Sequence, residues 1–249
     1  MMQRLKKTLY TAAAACFWIL VWHVAASLAN RSLLLKIPLP AQTAVAFCGL
    51  CRTKVFWQSV GNSLLHIVCG FLSALILGVA GGAASSSSEV FRRLTGPLLR
   101  LIRTVPVAAF IMLAWLWIPS RILPSFVSAL MVFPIIWSHV DAGLAAVDER
   151  LTEMASVFGM KEQEIMWMIR FPLMAPTLRT GCLTGIGIAW KSGIAAEVIC
   201  SPTGSIGSML QGAKASIDYE RVFVVTMMVV LLSLLFENVL KLVWKEQKR

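Results

Sequence analysis

An all-α, polytopic transmembrane bundle of about six spans, with both termini cytoplasmic, is the architecture this sequence predicts. Three observations carry that prediction. The 249 residues have a mean hydropathy of +0.77 and are 58% hydrophobic but only 14% charged, where a soluble domain carries roughly 25% charge. Several apolar runs reach the ~20 residues a helix needs to cross a ~30 Å hydrocarbon core, and they are continuous rather than alternating, which argues against a membrane β-barrel. Lys and Arg flank these runs and fall about two to one on the side that holds the N-terminus, the asymmetry that marks cytoplasmic regions.

The elements follow in order. "MMQRLKK" precedes an apolar run from about Leu9 to Ala29. It resembles a secretory leader, and "SLA" before Asn30 is a small-residue cleavage pattern. The run exceeds a leader's apolar core and further spans follow, so an uncleaved first span is expected. Residues 30–56, with Pro38 and Pro40, read as an extramembrane loop carrying a short amphipathic helix. Residues 1–54 thus form a leading span and outer loop, and residues 55–245 the main transmembrane domain. Span two runs from about Trp57 to Ala83, and "SSSSEVFRR" turns the chain. Span three follows "GPLLRLIRTVP" and continues through "AAFIMLAWLWIP". A tight "IPSR" link leads to span four, about Ile122 to Gly143. A polar segment over 144–172 follows, then span five, about Leu173 to Ile199. "CSPTGSIGSMLQGAKASID" reads as a Gly/Ser-rich outer loop before span six, about Tyr219 to Leu240. No internal repeat is evident.

Composition excludes several classes. The net charge of +11 is spread along span ends and forms no basic stripe with stacking aromatics, so nucleic acid is not an expected partner. Cys16, Cys69 and Cys182 lie in apolar segments and read as small buried hydrophobes. Cys48 and Cys51 form a C-x-x-C with no second ligand pair, a weak zinc signal. They are a neighbour pair without chemistry, or a dithiol that oxidises if the loop faces an oxidising compartment. His23, His66 and His139 lie on three different spans with no i, i+4 ligand pair, so no metal site is expected. No nucleophile–base constellation or paired catalytic carboxylate is legible, and a non-catalytic chain is expected.

The segment "EMASVFGMKEQEIMWMIRFP", Glu153 to Pro172, carries far more charge than its flanks. Leu151, Met154, Ala155 and Phe158 recur at helical spacing, so one face is apolar. Gly159 is a helix end or turn, and a second amphipathic stretch runs from Lys161 to Arg170. Pro172 is expected to stop the helix propagating backwards and to open span five. The pattern is two short helices joined at a glycine, anchored by a span at each end. On periodicity alone, a loop lying on the lipid surface reads equally well.

This segment resembles the EAA loop of ATP-binding-cassette (ABC) importer permeases, E-A-A-x3-G-x9-I-x-L-P. Glu153, Ala155, Gly159, Ile169 and Pro172 match with all spacings kept, while Met154 and Phe171 depart from it. The similarity extends over residues 55 to 245 and is to permeases of the nitrate/sulfonate/taurine importer group. The resemblance implies that residues 144–172 form a coupling segment docking on a separate ATPase, with Glu153 at the docking surface. It also implies two permease copies, two ATPase copies, an extracytoplasmic substrate-binding protein, a bacterial inner-membrane location, and ATP and Mg bound by the partner ATPase. The chain contains no G-x-x-x-x-G-K-[ST], so it cannot cradle nucleotide phosphates in the P-loop manner, and no cofactor is expected on it. A small anion such as a sulfonate, taurine or nitrate is the solute the resemblance implies.

Span five carries charge at membrane depth. A lysine there costs roughly 2.5–3.5 kcal/mol on insertion scales and normally faces protein or a water-filled cavity. Lys191 and Glu197 lie about 240° apart on one helix, six steps of ~100°, so each needs a partner elsewhere; Asp141 is one candidate for Lys191. Lys191, Glu197, Trp190 and Ser192 are the candidate pathway residues, with a packing role for Lys191 as the competing reading. An ion-gradient-driven secondary transporter using Lys191 and Glu197 as coupling charges is the alternative function. Gly181, Gly185 and Ala189 repeat every four residues, a face suited to close helix packing, and Gly187 and Gly193 are candidate points of flexibility. Trp57, Trp167 and Trp244 read as interfacial anchors, and Trp115 and Trp117 as deeper residues.

Overall fold

A computed structural model describes residues 2–31 and 37–245. The outer-loop residues 32–36, Met1 and the C-terminal residues 246–249 lie outside that description. Every regular element among the described residues is helical. Helix α1 (Met2–Ala29) covers the residues of the first expected span, but its apolar part, Cys16–Ala29, is too short to count as a membrane crossing. Helix α2 (Pro40–Cys51) is the short helix expected between the first two spans, opened by a proline at its first position. Four helices are long and apolar enough to cross a membrane: α3 (Lys54–Ser87), α6 (Leu123–Ala145), the continuous helix Glu162–Cys200 and the Tyr219–Asn238 part of α11 (Tyr219–Lys245). These correspond to the expected spans two, four, five and six.

The third expected span differs. It is two helices, α4 (Glu89–Thr104) and α5 (Val107–Ala114), bent by 100°. Pro106 lacks an N–H and restricts the residue before it, and Val105 accordingly sits in extended backbone, φ −68°, ψ 127°. Eight residues span only ~12 Å, so α5 alone cannot cross a bilayer. Helix α4 keeps Val90, Leu94, Leu98 and Leu101 exposed on one side and carries Arg92, Arg93, Arg100 and Arg103, the pattern of a helix lying at a water–lipid boundary. By length and composition, the described residues thus hold four helices able to span a membrane, or five if the bent pair counts as one, against the six spans expected.

Glycine repeats decide how the long helices pack. Gly70, Gly78 and Gly82 lie on one face of α3, and a Cβ at these positions would come within 2.5–2.8 Å of Ser125, Ile136 and Val140 on α6. The face of span five expected to pack closely does so against an adjoining face of α6, where Ser128 and Ile136 touch glycines of both α3 and α9. A Cβ on Gly181 would meet the His139 ring at 2.8 Å, and the Ala189 carbonyl accepts a 3.0 Å hydrogen bond from Ser128 Oγ. Helix α6 is therefore clasped between two small-residue faces. Gly193 belongs to this packing and is no hinge: a Cβ there would lie 2.6 Å from Ser128 Oγ and 2.8 Å from Ile67.

The Gly/Ser-rich outer loop is also more ordered than composition predicts. It forms helix α10 (Ile206–Ala215), capped by Ser205, whose hydroxyl accepts from Ser208 N–H at 3.0 Å. Cys182 is buried as expected, but Cys16 and Cys69 are exposed on the bundle surface. Trp115 and Trp117 are exposed in the α5–α6 link rather than deep.

Candidate functional site: the coupling segment and the outer-end clasp

The polar segment after α6 folds as helix α7 (Glu149–Val157), capped by Asp148, whose carboxylate accepts from the Arg150 N–H at 3.0 Å. The chain then reverses through Gly159 at φ +83°. The Gly159 N–H donates to Ser156 O at 3.0 Å and the Met160 N–H to Ala155 O at 3.1 Å, the paired closure of a Schellman turn. Nothing lies within 4 Å of a Cβ built on Gly159, so glycine is required by backbone angle and not by space. Any other residue there would cost about 1–2 kcal/mol.

Helix α8 (Glu162–Ile165) restarts on a capping interaction, the Lys161 N–H donating to Glu164 Oε2 at 2.8 Å. The expected stop at Pro172 does not occur. A π-helical turn over Met166–Arg170 joins α8 to α9 (Phe171–Cys200), with the Phe171 N–H reaching back five residues to Met166 O. This widened turn loosens the helix frame in which the proline ring would clash and its missing N–H would be felt. Residues Glu162–Cys200 form one rod of 39 residues, about 58 Å long, whose inner end is itself part of the segment.

The five residues of the E-x-A-x3-G-x9-I-x-F-P pattern divide by orientation. Ala155 is buried, and with Ile165 (1% exposed) closes the segment's own small core; Ile169 is half-buried. Glu153 and Pro172 are exposed. Met154, Val157 and Phe158 stand out beside Glu153, with Val157 85% and Phe158 81% exposed. The sequence pattern put Phe158 on one apolar face with Ala155; the structure turns only Ala155 inward, because the turn at Gly159 ends the helix there.

A second site occupies the opposite end of the bundle. Glu197, on α9, is fully buried. Its Oε2 accepts from Ser63 Oγ at 2.6 Å and from the Gly207 N–H at 3.2 Å, and its Oε1 lies 2.9 Å from His66 Nδ1. One carboxylate therefore ties α3, α9 and α10 together with all its neighbours satisfied, the condition under which a buried charge is tolerated. Gly207 permits it: a Cβ there would sit 2.3 Å from Glu197 Cβ. Sequence reading found Glu197 but did not join it to His66 or Ser63, each more than 130 residues away, nor to Gly207, ten residues on.

The family model described as binding-protein-dependent transport system inner membrane component matches residues 67–248. The chain belongs to this family. Among curated relatives, the taurine transport system permease protein of Escherichia coli is 28% identical over 202 residues, covering 78% of this chain and 72% of that protein. The putative aliphatic sulfonates transport permease protein of Bacillus subtilis is 26% identical over 206 residues, 82% and 74% of the two chains. The nitrate import permease protein of Synechocystis is 26% identical over 180 residues, 71% and 64%. Two solved structures share the fold: an inward-facing MetNI methionine ABC transporter (TM-score 0.66, 13% identity, 78% of this chain and 97% of that one) and a bacterial alginate ABC transporter in complex with its periplasmic protein (TM-score 0.63, 12% identity, 96% and 93%).

In this permease, the remaining candidate pathway residues separate. Trp190 is buried, its indole N–H donating to Val229 O at 3.2 Å and its ring 5.5 Å from that of Phe236 on α11. Ser192 is buried and its hydroxyl folds back on Ile188 O at 2.8 Å. Lys191 is exposed on the outer surface of α9 and meets neither Glu197 nor Asp141. Asp141 instead lines an inner-end cavity of about 250 Å³ with Arg92, Arg100 and Arg103 of α4, its Oδ1 without a hydrogen-bond partner. Lys191 stands one turn beyond Ile188 and two beyond Thr184, which line a groove of about 500 Å³ with Arg103 and His139.

Proposed function

We propose that this chain is the solute-translocating subunit of an ATP-driven importer for a small anion of the sulfonate, taurine or nitrate kind, working in the bacterial inner membrane. The observation that carries this reading is the family match over 67–248 on a chain whose segment between α6 and α9 leaves Glu153, Met154, Val157 and Phe158 uncovered. A separate ATPase covers that surface, two copies serving two permease copies, and it binds the ATP and Mg. Because α8 is continuous with α9, displacement of the segment acts directly on span five, shifting the bundle between outward and inward access. An extracytoplasmic binding protein delivers the solute. Lys191 is exposed on a single copy at membrane depth, where facing lipid would be costly; a water-filled path between two copies is the environment that suits it.

An ion-gradient mechanism is disfavoured by the same geometry. Lys191 and Glu197 do not face each other, and Glu197 is held by three neighbours with no exposure to water. The test is import into proteoliposomes carrying permease, ATPase and binding protein. Uptake of labelled taurine, nitrate or ethanesulfonate is expected to need internal ATP and to survive a protonophore. Uptake without ATP that the protonophore collapses overturns the reading.

A further inference from the structure

A cavity of about 890 Å³ opens at the end of the bundle opposite the segment between α6 and α9. Its walls come from three places that the fold brings together: the first turns of α3 (Asn62, His66), the α5–α6 link with the start of α6 (Arg121, Ser125), and the loop after α9 (Ser201, Thr203). Its volume lies in the range of small-molecule sites.

The chemistry of the walls is one-sided. Arg121 is the one guanidinium at the cavity, and it makes no ion pair or hydrogen bond among the described residues. The hydroxyls of Ser125, Ser201 and Thr203 likewise have no intramolecular partner among the described residues. No carboxylate lines the space. The nearest one, Glu197, is buried behind His66 and fully engaged by Ser63, His66 and Gly207. The start of α6, a helix of 23 residues, also turns its N-terminal end toward Arg121 and Ser125, adding the positive end of a helix dipole. Ser201 ends α9 in the left-handed region, φ 46°, a common way for a helix to stop, and this turn brings the loop to the cavity wall.

We propose that this cavity is a loading site for the oxyanion of the solute, with Arg121 as its charge partner and the hydroxyls of Ser125, Ser201 and Thr203 as donors. The inference rests on the importer reading and names where the anion meets this chain. The glutamate clasp has a part in it: by satisfying Glu197 inside the wall, His66 and Ser63 keep a negative charge from facing the anion. A planar guanidinium matches carboxylate, sulfonate or nitrate geometry with paired N–H donors, which a lysine at the same place does less well.

The test uses the purified permease–ATPase complex without the binding protein, so that any anion effect belongs to these chains. Ethanesulfonate and nitrate are titrated to about 50 mM against chloride at equal ionic strength, with thermal unfolding as the readout. The expected result is an upward shift of about 2 °C or more for both probes, as binding to the folded state requires, and none for ethylammonium. Arg121→Gln is expected to abolish the shift, Arg121→Lys to keep part of it, and Lys214→Gln, which removes an exposed charge on α10, to leave it intact. No shift in the unmutated complex, the same shift in Arg121→Gln, or loss in Lys214→Gln as well, each overturns the proposal. Import that proves independent of ATP would instead count against the importer reading, and the two failures are separable.

Discussion

The two ends of the molecule solve opposite problems. At the end where α9 meets α10, a buried carboxylate and its neighbours are closed on one another: Glu197 is paired with Ser63, His66 and the Gly207 N–H, and α10 caps the arrangement. At the opposite end, α7 and α8 bury only Ala155 and Ile165, and larger apolar side chains, Met154, Val157 and Phe158, stay exposed. A buried polar clasp contributes to holding one chain together; an exposed apolar knob beside a carboxylate contributes only when another surface covers it. On the proposed reading, stability and partner binding sit at different ends, and substitutions should separate them.

The largest effect is expected at the clasp. Glu197→Ala strands the Ser63 hydroxyl, the His66 ring and the Gly207 N–H inside the bundle and should cost about 3–5 kcal/mol. Gly207→Ala, which drives a Cβ into Glu197, belongs in the same class. Equilibrium unfolding of the solubilised chain measures both, and unchanged curves would show that the clasp does not hold α10 to the bundle.

A smaller and different effect is expected at the knob. Phe158→Asp should change unfolding by less than about 0.5 kcal/mol, as exposed substitutions do, yet weaken retention of the ATPase at least about tenfold, near 1.4 kcal/mol. Equal retention by Phe158→Asp and the unmutated chain would detach this face from docking.

The smallest effect concerns α2, which carries the two loop cysteines as free thiols. Cys48 is exposed, whereas Cys51 packs against the core and its thiol is pushed up, first by burial and then by Cys48. A raised pKa means less thiolate at neutral pH. In single-cysteine variants, maleimide should label Cys48 several-fold faster than Cys51 at pH 7, with the gap narrowing as pH rises. Equal rates at pH 7 would mean that α2 does not pack against the outer end as described.

Much of this protein is written in one dimension. Continuous apolar runs become helices in lipid, because a helix satisfies its own backbone there, so spans two, four and six were placed within a few residues of their ends, while span five begins about ten residues earlier than expected. The two short helices joined at Gly159 were legible for a similar reason: helical spacing and a terminating glycine act over ten residues or fewer. What the sequence could not decide depended on contacts between distant segments or on local geometry that composition hides. The third span broke because Pro106 outweighs the hydrophobicity around it. The stop at Pro172 vanished because a π-turn absorbed it. The outer loop became helix α10 because Glu197, ten residues upstream, and Ser63, more than 140 residues upstream, anchor its first turn. Glu197 read alone was a charge in search of a pathway; only the packing of three helices gave it partners, while Arg121, at the cavity beside it, has none among the described residues.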